Sequence, residues 1–231
     1  DKRLHNSDKA TFYKKQFMKK FWVLFSLFIL PLVFYIFLSK GIYKYSNLPI
    51  LTEKVLDIKS ISNNTATFTD HLNIVCFLGR NVQEGKASMF NLNQTIYKRY
   101  FQKPYFQVTA IFPAGMEEEY KSTIEELSVF TDVKSWNFVY ANPSEISAIF
   151  KSFETPFELN ENYFSENAFI VDMESRLRGR KDDDDTSDGK LYGYDMTSVA
   201  VLKNKMKDDI DIIYYQLIKS AEKAARRKRE I

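Results

Sequence analysis

Leu72-Asn73-Ile74-Val75-Cys76-Phe77-Leu78 is a nearly continuous apolar run of strand length. A run of this kind, without polar alternation, belongs to a central strand covered on both faces. Such a strand needs helices above and below it, and the sequence downstream supplies them. Met89 to Phe101 places Phe90, Ile96, Tyr97, Tyr100 and Phe101 at helical spacing, and Phe106 to Phe112 (FQVTAIF) reads as a second strand. Glu117 to Leu127 is a predicted helix with Tyr120, Ile124 and Leu127 on one face, its acidic start suiting the helix N-terminus. Trp136 to Tyr140 is a third strand. Asn142-Pro143-Ser144-Glu145 then opens a helix, with Asn as cap, Pro at the first position and Glu at the third. That helix carries Ile146, Ile149, Phe150 and Phe153 on one side.

Ala168 to Asp172 and Leu177 to Arg180 form a hairpin around Met173-Glu174-Ser175-Arg176. A last helix runs from about Ser198, with Val199, Leu202, Met206, Ile210, Ile213 and Leu217 stepping by three and four. Upstream, Val55 to Ile58 and Thr65 to Thr69 flank a polar turn and are expected to make an entry hairpin of two short strands. Helix-linked strands followed by an antiparallel pair predict an α/β fold, a mixed sheet flanked by helices.

This order resembles a thioredoxin-like domain, and in particular the SCO/SenC family of membrane-tethered proteins that help assemble the copper site of cytochrome oxidase. The resemblance rests on LNIVCFLG at residues 72–79, the strand-to-helix step after it, and AFIVDMESRLRGR at 168–180, and it covers roughly Leu48 to Ile218. It implies a Cys-x-x-x-Cys pair in the loop after the first central strand, where two low-pKa thiolates bind soft Cu(I) or exchange with a disulfide. It also implies a histidine ligand shortly before the hairpin. The loop here is Gly79-Arg80-Asn81-Val82-Gln83-Glu84-Gly85-Lys86, and the second place reads Tyr163-Phe164-Ser165-Glu166. Neither holds a cysteine or histidine, so the chain resembles a degenerate member in which the family's copper and thiol chemistry is excluded.

The single cysteine, Cys76, sits inside the apolar strand and reads as a small hydrophobe of the core. His71 lies in a polar turn without partner ligands. No G-x-S-x-G, Walker loop, H-E-x-x-H or G-x-G-x-x-G occurs. The carboxylates Glu117, Glu118, Glu119, Glu125 and Glu126 read as solvated helix faces. A formal net charge of +3 is too small to imply a nucleic-acid partner. The expectation is therefore a non-enzyme without cofactor, metal centre or small-molecule substrate. The one open metal reading is the acidic loop, where Asp184, Thr186, Asp188 and Asp195 shadow the spacing of a calcium loop with Gly189 at its turn. Thr replaces an acid there, Asp replaces the bidentate Glu and a strand leads in, so the loop is expected to be a solvated one rather than a calcium site.

Ahead of the domain lies FWVLFSLFILPLVFYIFL, residues 21–38, an uncharged run that includes Phe21, Trp22, Leu30, Pro31, Phe37 and Leu38. It is near the ~20 residues that cross a bilayer as a helix, and is longer than the ~7–15 apolar residues of a signal peptide. Pro31 is tolerated in such a helix, and Trp22, Tyr43 and Tyr45 suit an aromatic belt. Lys2, Arg3, Lys9, Lys14, Lys15, Lys19 and Lys20 precede the run, which predicts a cytoplasmic N-terminus. The chain does not open with Met, so it is expected to begin inside the natural protein or after trimming.

The expected organisation is a basic cytoplasmic segment (1–20), a transmembrane helix (21–38), a linker (39–50), a thioredoxin-like periplasmic domain (51–218) and a basic helix end (219–231). That describes a single-pass protein of a bacterial inner membrane. Its expected partners are the lipid bilayer and a respiratory or envelope membrane complex, for which it is an accessory subunit or assembly factor. An SCO-type copper or thiol carrier and a periplasmic calcium-binding module are the alternatives.

Overall fold

The computed structural model describes residues 20–36, 47–61 and 66–229. The chain divides into two units, residues 1–46 and 47–231. In the first, residues 20–36 form a helix (α1) that contains Pro31 and exposes Phe21, Trp22 and Leu30. Among the described residues no helix is long and apolar enough to cross a membrane. Phe37 and Leu38, with which the apolar run ends, lie outside the described residues.

The second unit is built on the apolar run. Leu72–Leu78 is a strand (β2) buried at every residue. It pairs in parallel with Phe106–Pro113 (β3), which pairs in parallel with Trp136–Ala141 (β4). On its other side β2 pairs antiparallel with Phe164–Val171 (β5), the first arm of a hairpin completed by Leu177–Arg178 (β6). Ile50–Thr52 (β1) closes that side against β6, and Tyr194–Asp195 (β7) pairs with β5. Between the parallel strands run α2 (Val82–Leu92, prolonged by a π turn at Asn93–Tyr97 and by Lys98–Tyr100) and α3 (Glu117–Phe130). Helix α4 (Pro143–Ser152) follows β4. The last helix, α5, starts at Val199–Val201, passes a π turn at Leu202–Met206 and runs on as Lys207–Arg229. This is a mixed thioredoxin-like sheet with helices on both faces.

Alternation along β2 separates two cores. Leu72, Ile74, Cys76 and Leu78 face α2, α3 and α5, packing with Val108, Ala110, Phe112 and Ile210. Val75 and Phe77 face α4, where Phe77 meets Phe150, Phe153 and Phe169 edge-on at 5.1, 5.9 and 6.2 Å. The helix start at Asn142 forms as expected: its side chain and that of Glu145 make a reciprocal capping box, with Pro143 in the first turn.

Three local expectations fail. Helix α2 begins at Val82 rather than near Met89, because Asn81 caps it by accepting from the Gln83 amide. Val199, on the expected inward face of α5, is 51% exposed. Among the described residues neither strand of the entry hairpin forms: Ile58–Ser60 is a 3-10 turn and the strand in this region is β1, while residues 62–65 of the expected hairpin lie outside the described residues. The reason is Asp57. Its carboxylate accepts from the amides of Lys59, Phe68 and Thr69 and from the hydroxyls of Thr67 and Thr69. One side chain thus satisfies the groups that a ladder would have used.

Burial raises the Asp57 carboxyl, but these amide and hydroxyl donors outweigh it and hold the group below its ordinary 3.8. A depressed carboxylate stabilises the fold above its unfolded pKa, and that contribution is lost as pH falls through the folded value. Asp57→Ala is therefore expected to lower stability at neutral pH. It is also expected to flatten the acid limb of the stability curve between about pH 5 and about pH 3, read by urea unfolding.

Candidate functional site

The step from β2 to α2, which the resemblance marks for a cysteine pair, has its backbone held by close packing. Gly79 has φ +66, and a Cβ there would lie 2.7 Å from both the Asn162 oxygen and the Phe164 Cβ. Only glycine takes this backbone at such close approach. The Arg80 amide donates to the Asn162 oxygen at 2.9 Å, tying the loop to the chain that enters β5. Tyr163, in that entry, has φ 63, and its ring lies 5.9 Å from the Arg80 guanidinium.

Tyr120 from α3 closes the step from beneath. Its hydroxyl donates to the Leu78 oxygen at 2.8 Å and lies 3.3 Å from the oxygens of Gly79 and Asn81. Its ring packs on Phe112 at 4.4 Å. Gly85 makes this possible, since a Cβ there would stand 2.1 Å from the Tyr120 hydroxyl. Burial pushes the Tyr120 hydroxyl up, so it remains a protonated donor. The loop is therefore a hydrogen-bonded plug, and no residue in it is a nucleophile or a soft ligand.

The cysteine and histidine do not reach this plug as ligands. Cys76 is wholly buried in mid-strand, with Sγ 3.8 Å from the Thr109 oxygen, and burial pushes its thiol up, away from the reactive thiolate. His71 stands at the opposite end of β2, its Nδ1 3.0 Å from the Thr69 oxygen. Tyr163, Phe164, Ser165 and Glu166 do border the plug, through Asn162 and β5. Among the described residues no group of three or more His, Cys, Asp or Glu could hold a metal ion.

Polar chemistry concentrates instead on the hairpin. The Asp172 carboxylate accepts from the amides of Glu174 and Arg176, from Arg176 Nε at 2.9 Å and from Arg178 Nη1 at 2.9 Å. Arg178 also donates to the Leu48 oxygen and to Gln216 Oε1, so one guanidinium joins the hairpin, the entry segment and α5. Arg180 Nε donates to Asp209 Oδ2 at 2.8 Å, and the Tyr194 hydroxyl donates to the same oxygen at 2.6 Å. Burial pushes Asp209 up, with Arg180 and Tyr194 opposing it.

The acidic loop is organised by a residue outside the calcium spacing. Asp183 is buried and takes Lys205 Nζ at 2.6 Å and Arg180 Nη1 at 3.6 Å. Asp184 and Asp188 are exposed, and Asp188 accepts from the Lys190 amide. Asp195 belongs to β7, where it accepts from the Thr197 amide and hydroxyl. The three calcium candidates are thus assigned to separate local turns. Sequence reasoning missed Tyr120, Asp183, Tyr194 and Asp209 as site residues; Gly85, read as part of a loop, points to Tyr120 only once it is placed inside α2.

No family model and no curated protein matches the chain. Among solved structures, it is similar to the thioredoxin domain of a thiol-disulfide oxidoreductase from Bacteroides vulgatus, at 18% identity over 71% of this chain and 95% of that one, TM-score 0.40. It is similar to the apo Sco1 protein from Thermus thermophilus at 12% identity over 74% and 97%, TM-score 0.42. For the copper-bound ScoI of Bradyrhizobium japonicum the values are 11%, 68% and 99%, TM-score 0.36. The reading of the site rests on this chain's own side chains.

Two mutational outcomes follow. Gly85→Ala is expected to destabilise by roughly 1–3 kcal/mol through overpacking. Adding Tyr120→Phe should recover part of that loss in a double-mutant cycle, and independent losses would contradict the plug. Asp209→Ala, which removes the carboxylate that Arg180 and Tyr194 share, is expected to cost up to about 3–5 kcal/mol in urea unfolding, whereas replacing both partners by apolar residues should cost less.

Proposed function

We propose that the chain is a non-catalytic, membrane-anchored, thioredoxin-like protein that acts through protein–protein contacts, as an accessory subunit or assembly factor of a respiratory or other envelope membrane complex. The observation that carries the non-catalytic part is the plug: Tyr120 hydrogen-bonds the loop in which thiols would work, and the only thiol of the chain is buried in β2. The anchor is supported by α1, whose Phe21, Trp22 and Leu30 side chains are exposed apolar surface of the kind that lipid covers. The basic residues before it favour a cytoplasmic N-terminus and a periplasmic domain in a bacterial inner membrane.

The alternative, an SCO-type copper or thiol carrier, predicts stoichiometric copper by elemental analysis of protein loaded with Cu(I), and an accessible thiol. The expected result is copper far below stoichiometry. Cys76 should react with Ellman's reagent only after unfolding. Copper at one equivalent, or reaction of native Cys76, would establish the carrier instead. For the partner, affinity purification in mild detergent is expected to co-purify a larger membrane complex, seen as co-migration on native gels and identified by mass spectrometry. Recovery of the chain by itself from its native membrane would overturn the accessory-subunit reading.

A further inference from the structure

The outward side of α5 has no part in the plug or the hairpin network. The inner side is fixed in the core by Ile210 and Ile213, with Leu217 partly buried against the same cluster. Outside, Tyr215 is 47% and Ile218 59% exposed, about one helical turn apart. The Lys219 ammonium lies 5.1 Å from the centre of the Tyr215 ring, so a cation, a ring and an aliphatic side chain share one solvent-facing patch. The helix continues to Arg229. Over that stretch the sequence carries Lys219, Lys223, Arg226, Arg227, Lys228 and Arg229 against Glu222.

The acids of the helix lie toward its other end. Asp208 and Asp211 pair with Lys207, and Asp209 with Arg180. The first part of α5 therefore balances Lys203, Lys205 and Lys207 against Asp208, Asp209 and Asp211, whereas the C-terminal end is unbalanced and exceeds what the helix dipole, which acts only over the last turn, can use.

We propose that the C-terminal half of α5 is an interfacial segment that binds an anionic bilayer surface. Lysine and arginine would meet lipid phosphates, Tyr215 would sit at headgroup level and Ile218 just beneath it. An acidic protein would answer the charge, but a bilayer answers the charge and the adjoining apolar patch together. This inference goes beyond the anchor reading and does not depend on it, because the patch reports on α5 whether or not residues 21–38 span a membrane.

The test uses the full chain with Ile218→Cys, labelled with an environment-sensitive nitrobenzoxadiazole. Cys76 is wholly buried, so labelling of native protein is confined to position 218. A thermal melt matching that of the unlabelled chain verifies folding. With vesicles containing phosphatidylglycerol the emission is expected to shift to the blue relative to phosphatidylcholine alone. The shift should vanish in about 1 M salt, where screening acts within about 3 Å. It should also vanish when Arg226, Arg227, Lys228 and Arg229 are all changed to Gln. No shift in either lipid, an equal shift in both, or an equally large shift with soluble polyglutamate would overturn the proposal. Loss of the anchor's own insertion would appear separately, as failure to co-sediment with neutral vesicles.

Discussion

The carboxylate of Asp209 is the point on which the C-terminal third of the domain turns. It is buried between Arg180, from the strand side, and Tyr194, from the segment that returns to β5. The strands it serves are short: β6 and β7 each hold two residues and pair at two positions with β5. Ladders of that length add little, so the register of α5 against them depends on side chains. A buried ion pair contributes less to net stability than its geometry suggests, since desolvation offsets attraction. What it excludes is misplacement, because any other register leaves a buried charge without its partner. Arg178 extends the same logic by joining Asp172, Leu48 and Gln216, so that the first residues of the domain and its last helix close on one hairpin.

The π turn at Leu202–Met206 makes this closure compatible with the core. An extra residue in the turn rotates the helix that follows. Leu202 and Met206 are buried within the turn, and Asp209, Ile210 and Ile213 are buried after it. A second π turn at Asn93–Tyr97 does the same for α2, whose Leu92, Ile96, Tyr97 and Tyr100 all enter the first core. Both turns look regular in sequence, because spacings of three and four fit either geometry.

That explains how much could be read beforehand. β2, β3 and β4, the capped start of α4 and the β5–β6 hairpin were legible because burial on both faces, a capping box and an interrupted apolar pair are local patterns. The Asp57 turn was not legible, because its five donors come from residues spread over Lys59 to Thr69 and a weak alternation there mimics strands. The candidate site was legible in what it lacks, namely Cys and His at the expected places. It was illegible in what replaces them, since Tyr120 looks like an ordinary core residue of α3 until Gly85 is seen against it.

The plug bears on function through its geometry as much as through its missing ligands. A loop that binds metal or exchanges thiols must present its groups to a partner, which requires free backbone and room at the end of β2. Here the Gly79 backbone lies against Asn162 and Phe164, and Tyr120 occupies the space beneath the first turn of α2. The backbone at Gly79 and Gly85 is held by packing, while Arg80, Asn81, Gln83 and Glu84 point their side chains to solvent. The exposed apolar side chains of the folded domain include Leu56 and Tyr105, Val129 and Phe130 at the end of α3, and Val199, Tyr215 and Ile218 on α5.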